Sequence, residues 1–551
     1  MTTVYDGVRR CWSGPVRTPV LNPAANLGPV LLNVLERTPG KPAQVDADHD
    51  TTMTCEELRK RAIRFATLLG TWNYRPGDVV ALIGRNSANV APVAFGCFIA
   101  GVTLSTLDPS FAVAEVEHIL RLTRPRCVLS DWDALEMVRQ AAGTIGLTFD
   151  RPYGVLIGPE AVPDDCFLVE TVLERATPDP EDGYVPQEWG DSTQLTAAIV
   201  CSSGTTGLPK AVRISHAQLI APFQRVTQLD RDDTIFCFST LYWISGLQML
   251  MTGTLNGVRR VITARRSTPA LAIEMCQRYR VTLLLVTPSM ASDIVRTLPP
   301  TERLESVRLF AIGGATVPVH LCTEIETRVL VAGRGRTFVG YGTSETGNIA
   351  YQLVPRKDSV GFLLPNITAQ VVNEDGLHVG PNELGELIVR SPYPFLGYQG
   401  NTEATRAFLT ADGFMRTGDI VRFDNDGFLF LHDRKREIFK YDGYQIAPAT
   451  LEARISELPG VRYVVVVGMP EPNQPYNGLA TALIVRDSTV SPETLTERTV
   501  IEHCDDPLRH KRLQGGAFFV PELPMTASGK IQREAARRLA RQLFEARCGK
   551  H

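Results

Sequence analysis

A run of small and β-branched apolar residues, Ala197 to Val200, passes directly into Cys201-Ser-Ser-Gly-Thr-Thr-Gly-Leu-Pro-Lys210. Ser202, Ser203, Gly204, Thr205, Thr206, Gly207 and Lys210 thereby gather backbone N–H groups, hydroxyls and one cation around a small volume, an arrangement that suits a polyphosphate. It is not the G-x-x-x-x-G-K-[ST] loop, because Gly204 and Gly207 are three apart and a proline precedes the lysine. On composition alone a flexible surface turn fits this segment equally well. Three further segments concentrate related groups. Tyr341-Gly-Thr-Ser-Glu-Thr-Gly347 sets Glu345 among small residues, where a carboxylate reaches a hard cation such as Mg²⁺. Thr417-Gly-Asp419 holds a carboxylate in a turn, placed to accept from neighbouring hydroxyls. Pro524-Met-Thr-Ala-Ser-Gly-Lys-Ile531 puts Lys530 at the tip of a turn before the last helix, a flexible cation able to swing into a site and out again.

The elements that must position these groups are legible as apolar runs. Val79 to Gly84, Val281 to Val286, Leu309 to Ile312 and Arg336 to Val339 have strand length and alternate with segments of helical period. That alternation predicts an α/β fold of parallel sheets covered by helices. Between Gly361 and Leu431 the pattern changes to short runs (Ala369 to Val372, Gly385 to Val389, Phe428 to His432) separated by Asn- and Gly-rich turns, which predicts a β-barrel-like antiparallel section. The charge run Asp433 to Glu437 then marks a boundary. We expect a large N-terminal domain over residues 1–433 and a small α+β domain over 434–551, with strands at Tyr463 to Gly468 and Ala480 to Val485 and a terminal helix from Gln532 to Arg547.

Composition excludes several classes. With 57 Lys plus Arg against 60 Asp plus Glu, a net charge of −3 argues against a nucleic-acid binder. The 11 cysteines show no C-x-x-C pair and no zinc-ligand spacing, and read as reduced thiols of a cytoplasmic protein. The apolar run from Ala91 to Leu104 is too short to span a membrane. The basic end, Arg533 to Arg547, reads as a docked helix with a solvated face, peripheral membrane contact being the alternative. Gly549, Lys550 and His551 make a poor peroxisomal address.

Taken together and in order, the four segments resemble the adenylate-forming superfamily of acyl-CoA synthetases, aryl-CoA ligases, beetle luciferases and peptide-synthetase adenylation domains. Through Lys440-Tyr-Asp-Gly-Tyr-Gln-Ile-Ala-Pro448 the chain looks most like insect luciferase-like fatty acyl-CoA synthetases. The resemblance implies ATP, Mg²⁺ and CoA as cosubstrates and metal. It assigns Ser202 to Gly207 and Lys210 to the phosphates, Gly313, Gly314, Ala315 and Tyr341 to adenine, and Gly342, Thr343 and Ser344 to the surroundings of the α-phosphate. Glu345 becomes the metal ligand, Asp419 and Arg434 the ribose contacts, Arg436 the hinge, and Lys530 the lysine that bridges the acid's oxygen and the α-phosphate.

The same resemblance places the acyl pocket at Tyr242, Trp243, Ile244 and Gly246, where many relatives carry histidine at the position of Trp243 or Ile244. A bulky apolar wall there favours a medium- or long-chain fatty acid, although Tyr242 and Trp243 also fit as plain core aromatics. Lys440, Gly443 and Tyr444 are assigned to the pantetheine arm of CoA, and Asp442 departs from the lysine of luciferases. The expected activity is therefore an ATP-dependent acid:CoA ligase. The alternatives are a luciferase-type monooxygenase, which the missing histidine disfavours, and a non-catalytic acyl or nucleotide binder, which the joint presence of Lys210, Glu345, Asp419, Arg434 and Lys530 disfavours.

Overall fold

A computed structural model describes residues 2–18, 22, 24–174, 184–202, 209–220, 229–352, 356, 358–442, 444–471, 474–488, 490–506, 512–526 and 530–548. Three sheets build the large domain. The first has seven strands in the order Lys210–Ser215, Thr196–Ser202, Thr103–Leu107, Val79–Ile83, Cys127–Ser130, Tyr153–Val155 and Cys166–Leu168. It is parallel except where Thr196–Ser202 turns back antiparallel onto Lys210–Ser215, which sets Ser202 opposite Lys210. The second sheet has nine strands. Its centre is parallel and runs Arg336–Thr343, Leu309–Ile312, Leu283–Val286, Thr234–Cys237, Arg259–Ile262 and Pro42–Asp46.

Local sequence explains the helices that pack on these sheets. Cys55–Thr71 begins in a capping box in which Thr54 and Glu57 satisfy each other's backbone N–H groups. Ile244–Asn256 stops at Gly257, whose φ of +64° lets its N–H turn back to the last carbonyls. Every residue of Val90–Ile99 is buried, so the apolar run expected to fall short of a membrane span is a core helix. Among the described residues no helix is long and apolar enough to cross a membrane. Every cysteine whose side chain is described is free, and all of these but Cys322 are buried.

The third sheet is the antiparallel section, in the order Val4–Asp6, Cys11–Ser13, Thr368–Val372, Gly385–Arg390, Met415–Phe423 and Leu429–Arg434. Thr368–Val372, Gly385–Arg390 and Leu429–Arg434 lie close to the three runs read from the sequence, whereas Met415–Phe423, which holds Thr417 to Asp419, was not among them. The sheet's first two strands are an N-terminal ribbon that the sequence reading did not include. Trp12 closes the sheet's core from that ribbon: it is 0% exposed and stacks on Phe423 with ring centroids 4.6 Å apart and planes 14° from parallel.

The small domain has its own apolar clusters, formed by residues from Ile446 onward. A three-stranded sheet of Val461–Glu471, Gln474–Arg486 and Gly516–Phe519 is covered by Pro448–Ser456, Glu497–His503 and Arg533–Cys548. The terminal helix buries Ala536 and Ala540 against Val465, Val467 and Leu483, so its apolar face is docked. Trp12 supplies a test of how far the ribbon matters. Trp12→Ala should destabilise the large domain by about 3–5 kcal/mol, the usual cost of emptying a fully buried aromatic site, read as a lower urea midpoint of that domain's transition.

Candidate active site

The strands of the two α/β sheets deliver their carboxyl ends to one cleft between the large and small domains, the usual place for a ligand in such sheets. Ser202, Lys210, Thr287, Gly313, Gly314, Ala315 and the segment Tyr341 to Glu345 line it from the large domain, and Lys530 from the small one. Gly314 leaves its strand with φ +91°, a conformation suited to glycine, and exposes its backbone to the cleft.

Asp419 is 5% exposed, at the cleft's rim, with one partner on each carboxylate oxygen. Tyr341 donates its hydroxyl to Oδ2 at 2.6 Å, the Arg434 Nε lies 2.8 Å from Oδ1, and the Asp419 N–H donates to Thr417 Oγ1. Burial pushes the Asp419 carboxyl up and Arg434 and Tyr341 pull it down, the burial being larger. Burial and the same carboxylate raise the Tyr341 phenol far above its ordinary range, so it remains a donor. Each Asp419 oxygen keeps a second lone pair for an incoming hydroxyl.

Glu345 is 8% exposed and accepts from the Tyr398 hydroxyl at 2.8 Å through Oε1. The same tyrosine ring lies beneath the Lys210 ammonium, 5.0 Å from Nζ to centroid. Tyr398 was not singled out in the sequence. Only its place after Phe395-Leu-Gly397 hinted at a turn, and its partners come from distant segments, Glu345 from the turn after Arg336–Thr343 and Lys210 from the start of the strand Lys210–Ser215. It reaches them because the Gln399 and Arg213 N–H groups bond across to Ala211 and Gly397. Among the described residues no cluster of three or more His, Cys, Asp or Glu could hold a metal. The Glu345 carboxylate, with Lys210 over the same Tyr398 ring, still fits Mg²⁺, which is commonly held by one or two carboxylates plus substrate phosphates.

Lys530 sits over the cleft with Nζ 4.7 Å from the centroid of the Trp243 indole. Desolvation, and then repulsion by Arg434, push its pKa down to about 8. Its backbone is clamped by two bonds to Thr526, N–H to Oγ1 at 3.0 Å and O from N–H at 2.8 Å. The small domain is held in this arrangement from the helix Pro288–Thr297. Asp293 accepts from Arg462 at 3.1 Å and from the Tyr463 hydroxyl, and Arg296 pairs with Asp487 at 3.0 Å while donating to the Val461 carbonyl.

Other expected residues fall elsewhere. Ser203, Gly204, Thr205, Thr206 and Gly207 lie outside the described residues, as does Gly443. Tyr242, Trp243 and Ile244 line the cleft, but Gly246 does not. It is buried in the first turn of its helix, where a Cβ would stand 2.1 Å from the Thr240 carbonyl oxygen, so its role is to let the helix sit on that backbone. Lys440 and Tyr444 lie on the exposed hairpin Phe439–Tyr441 and Tyr444–Ile446, away from the cleft. Asp442 turns that hairpin with φ +48°, tied to Asn477. The charge run Asp433 to Glu437 is not uniformly solvated: Glu437 is buried between Arg436 at 3.2 Å and Arg537 at 3.1 Å.

A model of the AMP-binding enzyme family matches residues 32–399, and one of the AMP-binding enzyme C-terminal domain matches residues 450–530. The chain belongs to the AMP-binding enzyme family. Among its relatives is the 4-coumarate–CoA ligase-like 4 of Oryza sativa subsp. japonica, 30% identical over an alignment of 524 positions that covers 92% of this chain and 91% of that one. Another is the luciferin 4-monooxygenase of Luciola mingrelica, 27% identical over 87% of this chain and 88% of that one. The fold is shared with an anthranilate CoA ligase, AuaEII, solved with anthranoyl-AMP: TM-score 0.84, 21% identity, covering 95% of this chain and 98% of that one. The family's relatives thus include aryl-CoA ligases as well as a luciferase, a broader range than fatty acyl-CoA synthetases.

A lysine whose pKa is lowered loses its charge as pH rises through that value. The kcat/KM of ATP–pyrophosphate exchange, which reports the free enzyme, should therefore fall about tenfold per pH unit above about pH 8. Lys530→Arg, charged throughout that range, should lack this limb.

Proposed function

We propose that the protein is an ATP-dependent acid:CoA ligase. A carboxylate is a poor acyl donor, and exchanging its oxygen for AMP makes it a good one. The acid's oxygen attacks the α-phosphorus of ATP, the bond to the β-phosphate breaks, and acyl-AMP and pyrophosphate result. The thiol of CoA then attacks the acyl carbon and AMP leaves with the bonding electrons. The observation that carries this reading is the convergence of Lys530, Lys210, Glu345, Asp419 and Arg434 on one cleft from both domains.

In this reading Lys530 neutralises charge between the acid's oxygen and the α-phosphate, a preorganised cation where charge develops. Asp419 and Arg434 receive the ribose, Tyr341 and Gly313 to Ala315 the adenine, and Ser202 to Gly207 with Lys210 the phosphates. Glu345 would hold Mg²⁺, which supplies countercharge to the phosphates, while Tyr398 fixes the carboxylate that faces it. Residues 434–551 form a mobile domain turning about Arg436, which withdraws Lys530 and brings Lys440, Gly443 and Tyr444 to the CoA thiol.

For the acid, the wall formed by Trp243, Met249, Leu285 and Phe338 supports a medium- or long-chain fatty acid. A second reading, a hydroxylated aryl acid, is favoured by Gln248 and Asn348, which also line the cleft with Asn348 Nδ2 at 3.4 Å from Gln248 Oε1, and by the aryl-CoA ligases among the relatives. The test is pyrophosphate and acyl-CoA release with Mg·ATP and CoA across fatty acids of graded length and cinnamic and benzoic acids. A maximum at one chain length supports the first reading and a preference for hydroxyaryl acids the second. Pyrophosphate without thioester contradicts the ligase. Lys530→Ala should slow pyrophosphate release by about a hundredfold or more, while transfer of a supplied acyl-adenylate to CoA persists.

A further inference from the structure

Lys530 enters the cleft without an anionic partner. Among the described residues no carboxylate forms an ion pair with it, and two acidic groups of the cleft have other partners, Asp419 in Arg434 and Tyr341 and Glu345 in Tyr398. Arg434 repels it. Two surfaces receive the side chain instead. One is Gly314, where an added Cβ would meet Lys530 Cε at 2.6 Å. The other is the face of Trp243, 4.7 Å from Nζ.

That face is unusually well fixed. The Trp243 N–H donates to the Thr240 carbonyl at 3.1 Å, and its own carbonyl accepts from Gly246 and Leu247 as the helix Ile244–Asn256 begins. The indole is braced edge to face by Tyr242, centroids 4.8 Å apart at 81°, and Tyr242 in turn by Phe111, 5.2 Å at 78°. Tyr242 is buried, so this aromatic row is anchored in the core of the large domain. A cation over an indole face is attracted by the ring quadrupole, most strongly where water is displaced.

We propose that Trp243 is a positioning residue for the Lys530 ammonium, its indole holding the charge over the cleft in the adenylating arrangement, so that one side chain serves as acyl-pocket wall and lysine rest. This rests on the ligase reading above, in which Lys530 serves adenylation and not thiol transfer. The two duties separate in the half-reactions. Loss of the wall alone impairs both, because the acyl group occupies the pocket in each. Loss of the lysine rest impairs adenylation only.

The experiment measures both half-reactions in Trp243→Ala and Trp243→Phe, with the whole chain and a working acid. Trp243→Ala should lower the adenylation kcat about tenfold more than it lowers acyl transfer from supplied acyl-adenylate, the loss common to both being that of the acyl-pocket wall. Trp243→Phe should recover most of the adenylation-specific loss, and in the Lys530→Ala background Trp243→Ala should cost adenylation no more than it costs acyl transfer. Equal loss in both half-reactions, or an undiminished effect without Lys530, would overturn the proposal. A second measurement needs no turnover and so separates this proposal from the ligase reading. Reductive methylation with peptide mass spectrometry should show Lys530 modified faster in Trp243→Ala than in the wild type or Trp243→Phe, and equal rates in all three would also overturn it.

Discussion

The cost of bringing an ammonium out of water without a carboxylate beside it governs this structure. Lys530 is inserted between a glycine backbone and an indole face, with an arginine nearby and the acidic residues already paired. Its lowered pKa expresses that cost. A cation held this way is poorly satisfied by the protein and is better satisfied by an incoming polyphosphate. In this account, binding energy from the nucleotide relieves the desolvated lysine, and the small domain's position over the cleft depends on what fills it.

The rest of the molecule supports that insertion. Two parallel-centred sheets end at the cleft, and their terminal loops bring small residues, Gly313 and Gly314 among them, where backbone and ligand must approach closely. Arg434 links the last strand of the antiparallel sheet to Asp419 and so connects the charge run Asp433 to Glu437 directly to the cleft. Asp293 and Arg296 hold the small domain from one helix through Arg462, Tyr463 and Asp487. Most of these contacts are ion pairs or charge-assisted hydrogen bonds with exposed members, individually weak and therefore releasable. The hairpin with Lys440 and Tyr444 remains outside the cleft while Lys530 is inside, as expected if the two serve different steps.

What the sequence made legible followed from locality. Leu309–Ile312 was readable to the residue because a short apolar run flanked by Gly313 and Gly314 has few alternatives, and Lys530 was readable because turn residues surround it; Asp419, expected in a turn, lies instead within the strand Met415–Phe423, next to Gly418 at φ +71°, because its neighbours pair with Leu429–Arg434. Tyr398 was not, since its importance lies in reaching Glu345 and Lys210 across three separate segments. The ribbon Val4–Asp6 and Cys11–Ser13 escaped notice because two three-residue strands carry too little periodicity; Thr368–Val372, onto which Cys11–Ser13 pairs, lies more than 350 residues away. Gly246 was misplaced for a related reason: its small size serves contact with the Thr240 backbone, which only the packed helix makes visible.

The central claim is that a desolvated Lys530 meets the phosphates of ATP. Proton uptake on binding tests it most directly. Near pH 8.5, titration calorimetry of ATP in two buffers of different ionisation enthalpy should show uptake of a fraction of a proton by the wild type, because the phosphates raise the lysine's pKa, and none attributable to this group in Lys530→Arg. Identical uptake in the two proteins would contradict the account.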